Sequence, residues 1–402
     1  MSRSARQAGI TLTALRVLIV HNAYQQRGGE DAVVEAEVDL LRQNGHATAL
    51  YRRDNRDLDN VGRIAALGQT LWSRRTVRDI GALAADFQPD VIHAHNTFPL
   101  ISPSLYWGAQ QLAVPVVQTL HNFRLLCPQA MFLRNGAVCE DCLAKVPWRG
   151  VLRRCYRGSY AQSAALASML CTHRAIGTFQ HKVARYIALS EFGRRKFIEG
   201  GLPAARISVK PNFADVPVTN EQERQGGLFV GRLSPEKGVG VLLDALARSP
   251  GCRVRVAGSG PQEAELRRCA DVELLGWQPF EATLDEMRRA RFLIMPSICY
   301  EGFPRTLAEA FACGLPVIAS RLGVLEESIR DGETGLLFAA ASSAELADKI
   351  DWAERNPVAM HRMGRNARME YEAKYSPDSN YKQLMAIYLA AIYDNEQRAA
   401  AA

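Results

Sequence analysis

Residues 291–296 read RFLIMP and residues 301–309 read EGFPRTLAE, and these two neighbouring stretches decide the fold of the chain. The apolar run in the first stretch predicts a short buried strand, and the apolar spacing of residues 306–313 predicts a helix. Glu301 then lies in the connecting loop and Glu309 on the first turns of the helix, both at the carboxyl end of the strand. Open parallel sheets bind ligands at that end, and the free amides of a helix start favour an anion such as phosphate. Two isolated glutamates would equally suit a loop cap and a solvated helix face, so the interpretation depends on the motifs around them.

The same alternation of buried strands and helices occurs in two series along the chain. Residues 16–20 form the first predicted strand, and a loop with a Gly-Gly pair leads from it into a helix of residues 30–43. Repeated strand-helix units of this kind imply parallel, doubly wound sheets. We therefore predict an α/β fold with two Rossmann-like, doubly wound domains that face a cleft. The other strands are predicted at residues 47–51, 91–93, 115–120, 187–189 and 207–209, and then at residues 227–231, 253–257, 272–275, 292–295, 316–319 and 335–338.

The domain boundaries follow from this alternation. A chain of 402 residues exceeds the usual size of a single core, so two domains are expected. A polar stretch at residues 211–225 separates the two series and predicts a linker. We assign residues 1–15 to a disordered leader, 16–215 to the N-terminal domain, 216–379 to the C-terminal domain, and 380–402 to a helix that packs back towards the N-terminal domain.

The composition is typical of a soluble globular protein, with 48% hydrophobic and 23% charged residues. No run approaches the roughly 18 apolar residues of a membrane-spanning helix. The first residues lack the long apolar core and the cleavage site of a secretion signal, so we expect a cytoplasmic location.

The net charge of +7 hides an asymmetry between the two halves of the chain. Residues 1–215 hold 27 Lys and Arg against 16 Asp and Glu, a net charge of +11, and the remainder holds 22 against 26, a net charge of −4. The basic half favours an anionic partner, and peripheral contact with anionic lipid at the inner face of the membrane is one interpretation. A generically basic surface is the alternative, and nucleic acid is not expected because no aromatic-basic binding module is present. The basic clusters are Arg149, Arg153, Arg154 and Arg157, and Arg194, Arg195 and Lys196.

The loop GRLSPEKG at residues 231–238 joins a predicted strand to a predicted helix, with Ser234 as a natural N-cap. Arg232 offers a planar fork of donors and Lys237 a compact charge, and such a pair is suited to neutralising a diphosphate. Ordinary surface cations at a helix start are the alternative. In the other domain, the Gly-Gly pair that ends at Gly29 lets the backbone approach a ligand, although a plain turn has the same composition.

Two further motifs carry weaker signals. His93 and His95 are similar to a metal-binding pair, but we expect their imidazoles to point to opposite faces of the strand, which argues against a shared metal. His95 then has a structural or ligand-lining role, and the loop of residues 96–103 borders the same cleft. Gly258 and Gly260 are similar to a dinucleotide turn, but the third glycine is missing, so a nicotinamide site is not expected.

Four of the nine cysteines form a separate pattern in a polar insertion of about residues 122–160. A Cys-x-x-Cys is flanked by single cysteines, with eleven and twelve residues in between, which suits a tetrahedral structural zinc site. Reduced thiols are the first alternative, and two disulfides, which need an oxidising compartment, are the second. The four residues are Cys127, Cys139, Cys142 and Cys155.

Together these motifs resemble the family 4 retaining glycosyltransferases of the GT-B fold, over nearly the whole chain. Within that family they resemble the bacterial subset that carries a Cys-x-x-Cys loop in the N-terminal domain. The resemblance rests on the order and spacing of Gly28-Gly29-Glu30, Thr119-Leu120-His121-Asn122, Lys210-Pro211-Asn212-Phe213, residues 231–238, Ala257-Gly258-Ser259-Gly260-Pro261, and residues 301–309 with Gly314, Pro316 and Val317.

The resemblance implies transfer of a sugar from a nucleotide-sugar donor, held by the C-terminal domain, with retention at the anomeric carbon. The N-terminal domain then holds the acceptor, a glycan or a lipid-linked molecule, as in bacterial surface polysaccharide or glycolipid synthesis. No cofactor is required for catalysis, and the zinc site considered for the insertion would be structural. The expected mechanism is front-face attack through a short-lived oxocarbenium-like species, in which the donor phosphate helps to take the acceptor proton.

The resemblance also implies roles for single residues. Arg232 and Lys237 bind the donor phosphates, Glu301 approaches the sugar, and His121 contacts the sugar that is transferred. Pro304 departs from the glycine that the family often has there, which puts one backbone donor in doubt. The implied donor-binding residues are Gly29, Gly258, Gly302, Phe303, Pro304 and Glu309, where Glu309 holds the ribose, and the acceptor-lining residues are Tyr24, His95 and Asn96.

Alternatives remain open for both mechanism and function. Glu301 as a covalent nucleophile is the mechanistic alternative, and retaining hydrolases that work in that way pair two carboxylates about 5 Å apart. A GT-B epimerase or hydrolase of nucleotide sugars shares the fold, and so does a relative that binds a partner without catalysis.

Overall fold

The computed structural model describes residues 14–25, 28–60, 63–217 and 223–400, and it contains two six-stranded parallel sheets. The strands of the first sheet lie in the order β2-β1-β3-β4-β7-β8, and those of the second in the order β11-β10-β9-β12-β13-β14. The strands are β1 (Arg16–Ala23), β2 (Ala47–Asp54), β3 (Val91–Ala94), β4 (Val116–Leu120), β5 (Leu133–Arg134), β6 (Ala137–Val138), β7 (Arg185–Ala188), β8 (Ile207–Val209), β9 (Gly227–Val230), β10 (Val254–Ala257), β11 (Val272–Gly276), β12 (Phe292–Met295), β13 (Val317–Arg321) and β14 (Gly335–Ala339).

Helices cover both faces of the two sheets, which is the usual environment of parallel strands. Three short 3₁₀ helices (Asn55–Asn60, Ala204–Arg206 and Pro235–Lys237) occur in the connections. The α-helices are α1 (Gly29–Gln43), α2 (Arg63–Leu71), α3 (Arg74–Phe87), α4 (Ser104–Gln111), α5 (Trp148–Leu152), α6 (Tyr160–Ala175), α7 (Thr178–His181), α8 (Glu191–Glu199), α9 (Val239–Leu246), α10 (Glu263–Leu266), α11 (Phe280–Arg289), α12 (Arg305–Ala312), α13 (Val324–Ser328), α14 (Ser343–Arg355), α15 (Pro357–Lys374) and α16 (Pro377–Ala400).

The predicted fold class is confirmed: the chain forms two doubly wound α/β domains. The predicted strands correspond to the strands of the two sheets, with ends that differ by a few residues. Helices α2 to α8 and α13 to α15 have no counterpart among the predicted elements. The antiparallel hairpin of β5 and β6 lies within the cysteine-containing insertion and belongs to neither large sheet.

The strand order creates one switch point in each sheet, where the chain reverses its direction of winding. In the first sheet this point lies between β1 and β3, and in the second it lies between β9 and β12. Ligands of open α/β sheets bind at the carboxyl ends of the strands beside such a point. The fold therefore predicts one half-site after β1 and β3 and another after β9 and β12.

Each sheet has an apolar core on both faces because successive strand residues point to opposite sides. In β1, Leu18 and Val20 belong to one cluster, and Val17 and Ile19 belong to the other. The second sheet is covered in the same way by two further clusters.

Helix α16 completes the core of the first domain although it follows the second domain in sequence. Leu384 and Tyr388 are fully buried in the cluster that contains Val17 and Ile19. Leu15, which we assigned to the leader, is buried in the same cluster, so that boundary was placed too late. The rest of the predicted leader, residues 1–13, lies outside the described residues.

The two domains are joined by two segments, and both are held by side-chain hydrogen bonds. Asn380 Nδ2 donates to the Pro211 carbonyl at 2.7 Å, and the Tyr371 hydroxyl donates to the Ala214 carbonyl at 2.8 Å. Ala214 and Val216, in the predicted linker, are buried in the second domain's core. The described part of the linker is therefore packed, and residues 218–222 of it lie outside the described residues.

No helix among the described residues combines the length and the apolar content needed to cross a membrane.

Two loops of the second domain pack through glycine. Gly258 has a φ of +149°, and a Cβ atom there would lie 1.9 Å from the Gly231 carbonyl oxygen. No real Cβ contact is that short, so only glycine allows the loop after β10 to support the loop after β9.

We predict that Gly258→Ala lowers the free energy of unfolding by about 2–4 kcal/mol, because the new methyl group overlaps backbone that cannot rotate away. The measurement is the urea midpoint of the full chain. Gly240→Ala, in α9, is the matched control because a Cβ atom there meets no atom within 4 Å. Equal midpoints for the two variants would contradict the packing argument.

Candidate active site in the cleft between the two domains

The switch point of the second sheet carries an ion pair between two predicted site residues. Lys237 follows β9 and Glu301 follows β12, and Lys237 Nζ lies 2.6 Å from Glu301 Oε1. The Ser297 hydroxyl donates to the same carboxylate oxygen at 2.7 Å. Burial acts to lower the pKa of Lys237, but the Glu301 carboxylate outweighs it, and the pKa of Lys237 is raised. The lysine is therefore a fixed cation at this strand end.

The loop of residues 231–238 packs tightly on the loop after β12. Gly238 has a φ of +75°, and a Cβ atom there would lie 1.8 Å from the Pro296 carbonyl oxygen. Ser234 occupies the predicted N-cap position, but its hydroxyl donates to the Glu236 side chain at 2.6 Å instead of capping the helix. Arg232 is exposed and forms no ion pair within the described part of the chain. The N–H donors of its guanidinium are therefore free to bind a ligand, and Arg232 lies in the same loop as Lys237.

Glu309 lies in α12, below the surface of the cleft. The side chain is buried, and Arg305 Nε lies 2.9 Å from Glu309 Oε1. Burial raises the pKa of Glu309, and the Arg305 charge offsets only part of this effect. The Arg305 guanidinium in turn stacks on the Phe280 ring, with Cζ 4.9 Å from the ring centroid. A hydroxyl group that bonds to Glu309 therefore meets a carboxylate already fixed by Arg305.

Gly302 brings the second domain into contact with the first. A Cβ atom at Gly302 would lie 2.2 Å from the His121 carbonyl oxygen, so the two backbones touch. The Phe303 ring is buried against Tyr375 with centroids 5.1 Å apart, and Asn212 Nδ2 donates to the Phe303 carbonyl at 2.8 Å. Phe303 is thus anchored by its ring and its carbonyl, while Pro304 takes the N-cap position of α12.

His121 follows β4, and its carbonyl is the first domain's side of this contact. Its ring stacks on His95 with centroids 5.2 Å apart, and the two rings share a hydrogen bond of 2.9 Å. Burial lowers the pKa of His121, and it lowers that of His95 well below its ordinary value. Both imidazoles are therefore neutral at physiological pH.

The prediction that His93 and His95 point to opposite faces was wrong. Their ring centroids are 4.1 Å apart, because residues two positions apart along an extended chain share a face. With Glu37 they form a buried group whose ligand atoms lie within 4.8 Å of one another. Lys210 Nζ already bonds to Glu37, and the two His93 nitrogens contact the hydroxyls of Tyr388 and Thr119 at 2.7 Å. A cation there would compete with the lysine charge.

The structure changes the predicted acceptor side. His95 is 2% exposed and Asn96 8% exposed, so both lie beneath the cleft instead of lining it. Asn96 Nδ2 donates to the Asn22 carbonyl at 2.8 Å, which explains its burial. The Tyr24 hydroxyl donates to Glu30 at 2.9 Å, and burial together with this carboxylate raises the pKa of Tyr24.

Gly29 is the first residue of α1, and a Cβ atom there would meet no atom within 4 Å. The protein's own packing therefore does not require glycine at this position. Glu30, its neighbour, also accepts a hydrogen bond of 2.8 Å from Asn122 Nδ2, which ties the glycine loop to the loop of His121.

The cysteine-containing insertion has no disulfide, and the four cysteines are free. Cys127 and Cys142 are buried, and burial raises the pKa of both thiols and of Cys155, with smaller contributions from the other cysteines of the group. The four thiols are thus neighbours, but no three of these described Sγ atoms lie within 4.8 Å of one another.

The same insertion contacts the residue that precedes Glu301. The Tyr300 ring packs against Phe123 and Phe132, with centroids 6.3 Å and 5.9 Å away. Burial and, after it, the nearby Glu140 carboxylate raise the pKa of Tyr300 to about 12. Sequence reasoning missed Tyr300, because an isolated tyrosine in a loop carries no pattern. The insertion therefore supports the loop that carries Glu301.

An open cavity of about 580 Å³ lies where α8, α13 and Tyr300 meet. Glu327 of α13 accepts hydrogen bonds from the backbone amides of Glu191 and Phe192, and the former measures 2.8 Å. This carboxylate satisfies the free amides at the start of α8 and links the domains. None of the predicted donor residues lines the cavity, so it lies beside the predicted site.

Comparison with known proteins shows which family combines these features. The family described as "Glycosyl transferases group 1" matches residues 216–370, and the "Glycosyl transferase 4-like domain" matches residues 6–212. A glycosyltransferase of Methanocaldococcus jannaschii is 34% identical over 295 residues, which cover 71% of each chain. The D-inositol 3-phosphate glycosyltransferase of Mycolicibacterium smegmatis is 29% identical over 324 residues, 77% of this chain and 69% of that protein.

Solved structures show the same fold. Anabaena HepE, solved in complex with UDP-glucose, has a TM-score of 0.64 at 18% identity and covers 93% of this chain and 99% of its own. Both family descriptions together account for the two domains in order. The chain therefore belongs to the family 4, group 1 glycosyltransferases, nucleotide-sugar-dependent transferases with the GT-B fold.

Proposed function

We propose that the chain is a retaining glycosyltransferase that moves a sugar from a nucleoside diphosphate sugar to a hydroxyl of a glycan or lipid-linked acceptor, in bacterial surface polysaccharide or glycolipid synthesis. One observation carries the proposal. The Lys237–Glu301 ion pair lies at the switch point of the second sheet, and the adjoining Gly302 touches the backbone of His121 in the first domain. This arrangement supports neighbouring sites for the donor phosphate, the sugar and the acceptor in one cleft.

The basic side chains of this cleft suit the departure of a diphosphate. When the bond from the anomeric carbon to the diphosphate oxygen breaks, the electron pair stays on the diphosphate. Lys237 and the exposed Arg232 then stabilise charge that develops in the transition state, which accelerates the reaction more than tight ground-state binding does. The acceptor oxygen bonds to the anomeric carbon from the same face, and its proton passes to the departing phosphate oxygen.

The environment of Glu301 supports this front-face route over a covalent one. Glu301 Oε1 already accepts a hydrogen bond from Ser297 and pairs with Lys237. Both contacts stabilise the negative charge of the carboxylate and so make it a weaker nucleophile. Glu309, the other carboxylate of the segment, is paired with Arg305. Glu301 is thus better placed to orient Lys237 and the sugar, and Glu309 to accept a ribose hydroxyl.

The donor-site prediction concerns Lys237 and Glu309. We expect Lys237→Ala and Glu309→Ala each to lower kcat/KM for sugar transfer by about 10²–10³-fold, because each removes a fixed group at the nucleotide. Thermal shift with a set of nucleotide sugars selects the donor, and NMR of the product reads the anomeric configuration. Lys382→Ala, an exposed lysine of α16, is the control.

The outcomes separate the function classes. A retained anomeric configuration supports the proposal, and an inverted one contradicts it. Release of free sugar, or of an epimer, without an acceptor product indicates the hydrolase or epimerase. Wild-type transfer by both variants would remove Lys237 and Glu309 from the site.

We propose that the first domain also contacts anionic membrane through the surface around α5, where the lipid-linked acceptor would be found. Trp148 and Leu152 are 54% and 62% exposed, and Val146 and Tyr160 are exposed beside them. Exposed aromatic and aliphatic side chains mixed with arginines are typical of helices that lie in the membrane interface. The arginines of this surface are Arg149, Arg153, Arg154 and Arg157.

We expect the full chain to bind vesicles that contain phosphatidylglycerol and not vesicles of phosphatidylcholine alone. The double variant Trp148→Ala, Leu152→Ala should bind at least about tenfold more weakly, because both side chains lose apolar burial. Cosedimentation measures the binding. Trp277→Ala is the control, since Trp277 is 70% exposed in the second domain. Equal binding by the double variant and the control would place the contact elsewhere.

We propose that the four clustered cysteines bind a structural zinc ion. Six non-glycine residues between 130 and 157 have positive φ, a strained conformation that persists only where the surroundings hold it. A tetrahedral site with Zn–S bonds of about 2.3 Å would draw the Sγ atoms to about 3.8 Å from one another, so the side chains must rotate inward on binding. Zinc would thereby stabilise the insertion that supports Tyr300.

Elemental analysis of the purified chain should find zinc at about one ion per chain. Cys142→Ser should lose the zinc and unfold at a lower temperature, because thiolate ligation contributes to folding. Cys171→Ser, outside the insertion, is the control and should keep both. A zinc-free protein in which all nine cysteines titrate as thiols, or one with disulfides in the insertion, would contradict the proposal.

A further inference from the structure

A buried chain of polar side chains extends from His121 into the first domain, and the function above does not use it. His121 Nε2 lies 2.9 Å from His95 Nδ1, and His95 Nε2 lies 3.5 Å from Glu37 Oε2. The other oxygen of Glu37 pairs with Lys210 Nζ, which also donates to Asn380 Oδ1 at 3.2 Å. Glu37 and Lys210 are fully buried. A buried charge pair of this kind needs a structural reason.

The far end of this chain is fixed. Burial acts to raise the pKa of Glu37, but the charge of the Lys210 ammonium opposes it, and the pKa of Glu37 is lowered. Glu37 is therefore a carboxylate and only accepts hydrogen bonds. Its Oε2 atom and the His95 Nε2 atom are both buried and without a hydrogen-bond partner, and they face each other. A shift of roughly half an ångström makes this contact a hydrogen bond.

These contacts determine where the protons lie. Between two neutral imidazoles in contact, one nitrogen must donate and the other must accept. If His95 carried its proton on Nδ1, its Nε2 lone pair would face the Glu37 carboxylate, and two buried acceptors would oppose each other. With the proton on Nε2, His95 donates to Glu37, and its Nδ1 accepts from the Nε2–H group of His121.

We infer that Glu37 and His95 fix the tautomer of His121, so that His121 presents a neutral Nδ1 lone pair to the cleft and accepts a hydrogen bond from a hydroxyl of the bound sugar. This inference rests on the proposed function for the identity of the ligand, but not for the tautomer. Glu37 and His95 are positioning residues, since neither reaches the cleft. His121 would orient the sugar and would not act as an acid.

The remaining groups around His95 leave this arrangement intact. His93 Nδ1 also lies 3.6 Å from Glu37 Oε2, but it is already in contact with the Tyr388 hydroxyl at 2.7 Å. The hydroxyls of Tyr388 and Thr119 turn to suit either tautomer of His93. His21 lies edge-on to His95 with ring centroids 6.4 Å apart, and its Nε2 atom is bonded to Asp31. Among the residues that the structure describes, Glu37 is the charged group that is aligned with His95 Nε2.

A metal ion held by Glu37, His93 and His95 is the competing explanation of this cluster. The ion would displace the Lys210 ammonium from Glu37 and take a nitrogen of His93 from its hydroxyl partner. Both losses occur in a fully buried site, where an unpaired charge is costly. The hydrogen-bonded arrangement satisfies the same atoms without them.

The test reads the proton positions directly. In the full chain labelled with ¹⁵N-histidine, long-range ¹H–¹⁵N correlations distinguish the Nδ1–H, Nε2–H and imidazolium forms of the eight histidines. His121→Gln identifies the His121 signals by their loss. We expect the Nε2–H form for His121 and His95. The Nδ1–H form, or an imidazolium, at His121 would overturn the inference, and so would a stoichiometric metal ion that remains in Cys142→Ser, which lacks the zinc proposed for the insertion.

Glu37→Gln provides the causal test. The amide oxygen should face the Lys210 ammonium, so that its NH₂ group faces His95 Nε2 and reverses both tautomers. His121 should then appear as Nδ1–H, and kcat/KM for the donor should fall about tenfold or more, while affinity for the free nucleoside diphosphate stays unchanged. Asp39→Asn, exposed on the same helix, is the control. An unchanged His121 tautomer would overturn the role of Glu37.

A second variant and the activity of the wild-type chain complete the test. If Glu37→Gln does not fold, His95→Phe should leave His121 as a mixture of tautomers, because the phenyl ring offers no acceptor to His121 Nε2, and a single Nε2–H form would contradict the inference. Failure of the proposed function appears instead as absent sugar transfer by the wild-type chain, which the tautomer spectrum does not depend on.

Discussion

The contact between Gly302 and the His121 carbonyl is the constraint on which the cleft depends. A single methyl group at Gly302 would overlap that oxygen at 2.2 Å, so the two domains meet backbone to backbone. Behind this contact, Asn212 holds the Phe303 carbonyl, and Phe303 packs on Tyr375. The point of closest approach is thus anchored by the two segments that join the domains, and the loop that carries Glu301 has little freedom to move independently of them.

The structure surrounds this contact with groups of very different exposure. In the second domain, Arg232 is exposed and Lys237 is held in place by Glu301. Both positive charges therefore lie near the end of a strand, where a ligand can reach them. On the first domain, the polar groups beneath His121 are buried and connected to one another. A buried polar network is costly unless nearly every member is paired, and here the network ends on the Lys210–Glu37 pair. Exposed charges suit a ligand that arrives and leaves, and a buried network suits a fixed geometry.

Individual strands, helices and side chains show how much of the structure could be predicted from the sequence. The strand of residues 292–295 and the helix that follows were predicted almost to the residue, because a short apolar run with a proline and a glycine beyond it has few other interpretations. The resemblance to family 4 glycosyltransferases was confirmed. By contrast, His95 and Asn96 were predicted to line the cleft but are buried. The prediction that the His93 and His95 side chains point to opposite faces of the strand was wrong. Ser234 has the sequence of a cap, yet it bonds to Glu236.

The sequence by itself determined the class of the fold, the strands of the two large sheets, and the family, because periodic burial and the spacing of glycine, proline and charged residues are local properties. Only the tertiary structure decided which side chains meet. Glu37 and Lys210 are 173 positions apart and Lys237 and Glu301 are 64 apart, and no local pattern links such pairs. Their contact depends on the crossover connections between parallel strands, which bring strand ends that are distant in sequence to one edge of a sheet.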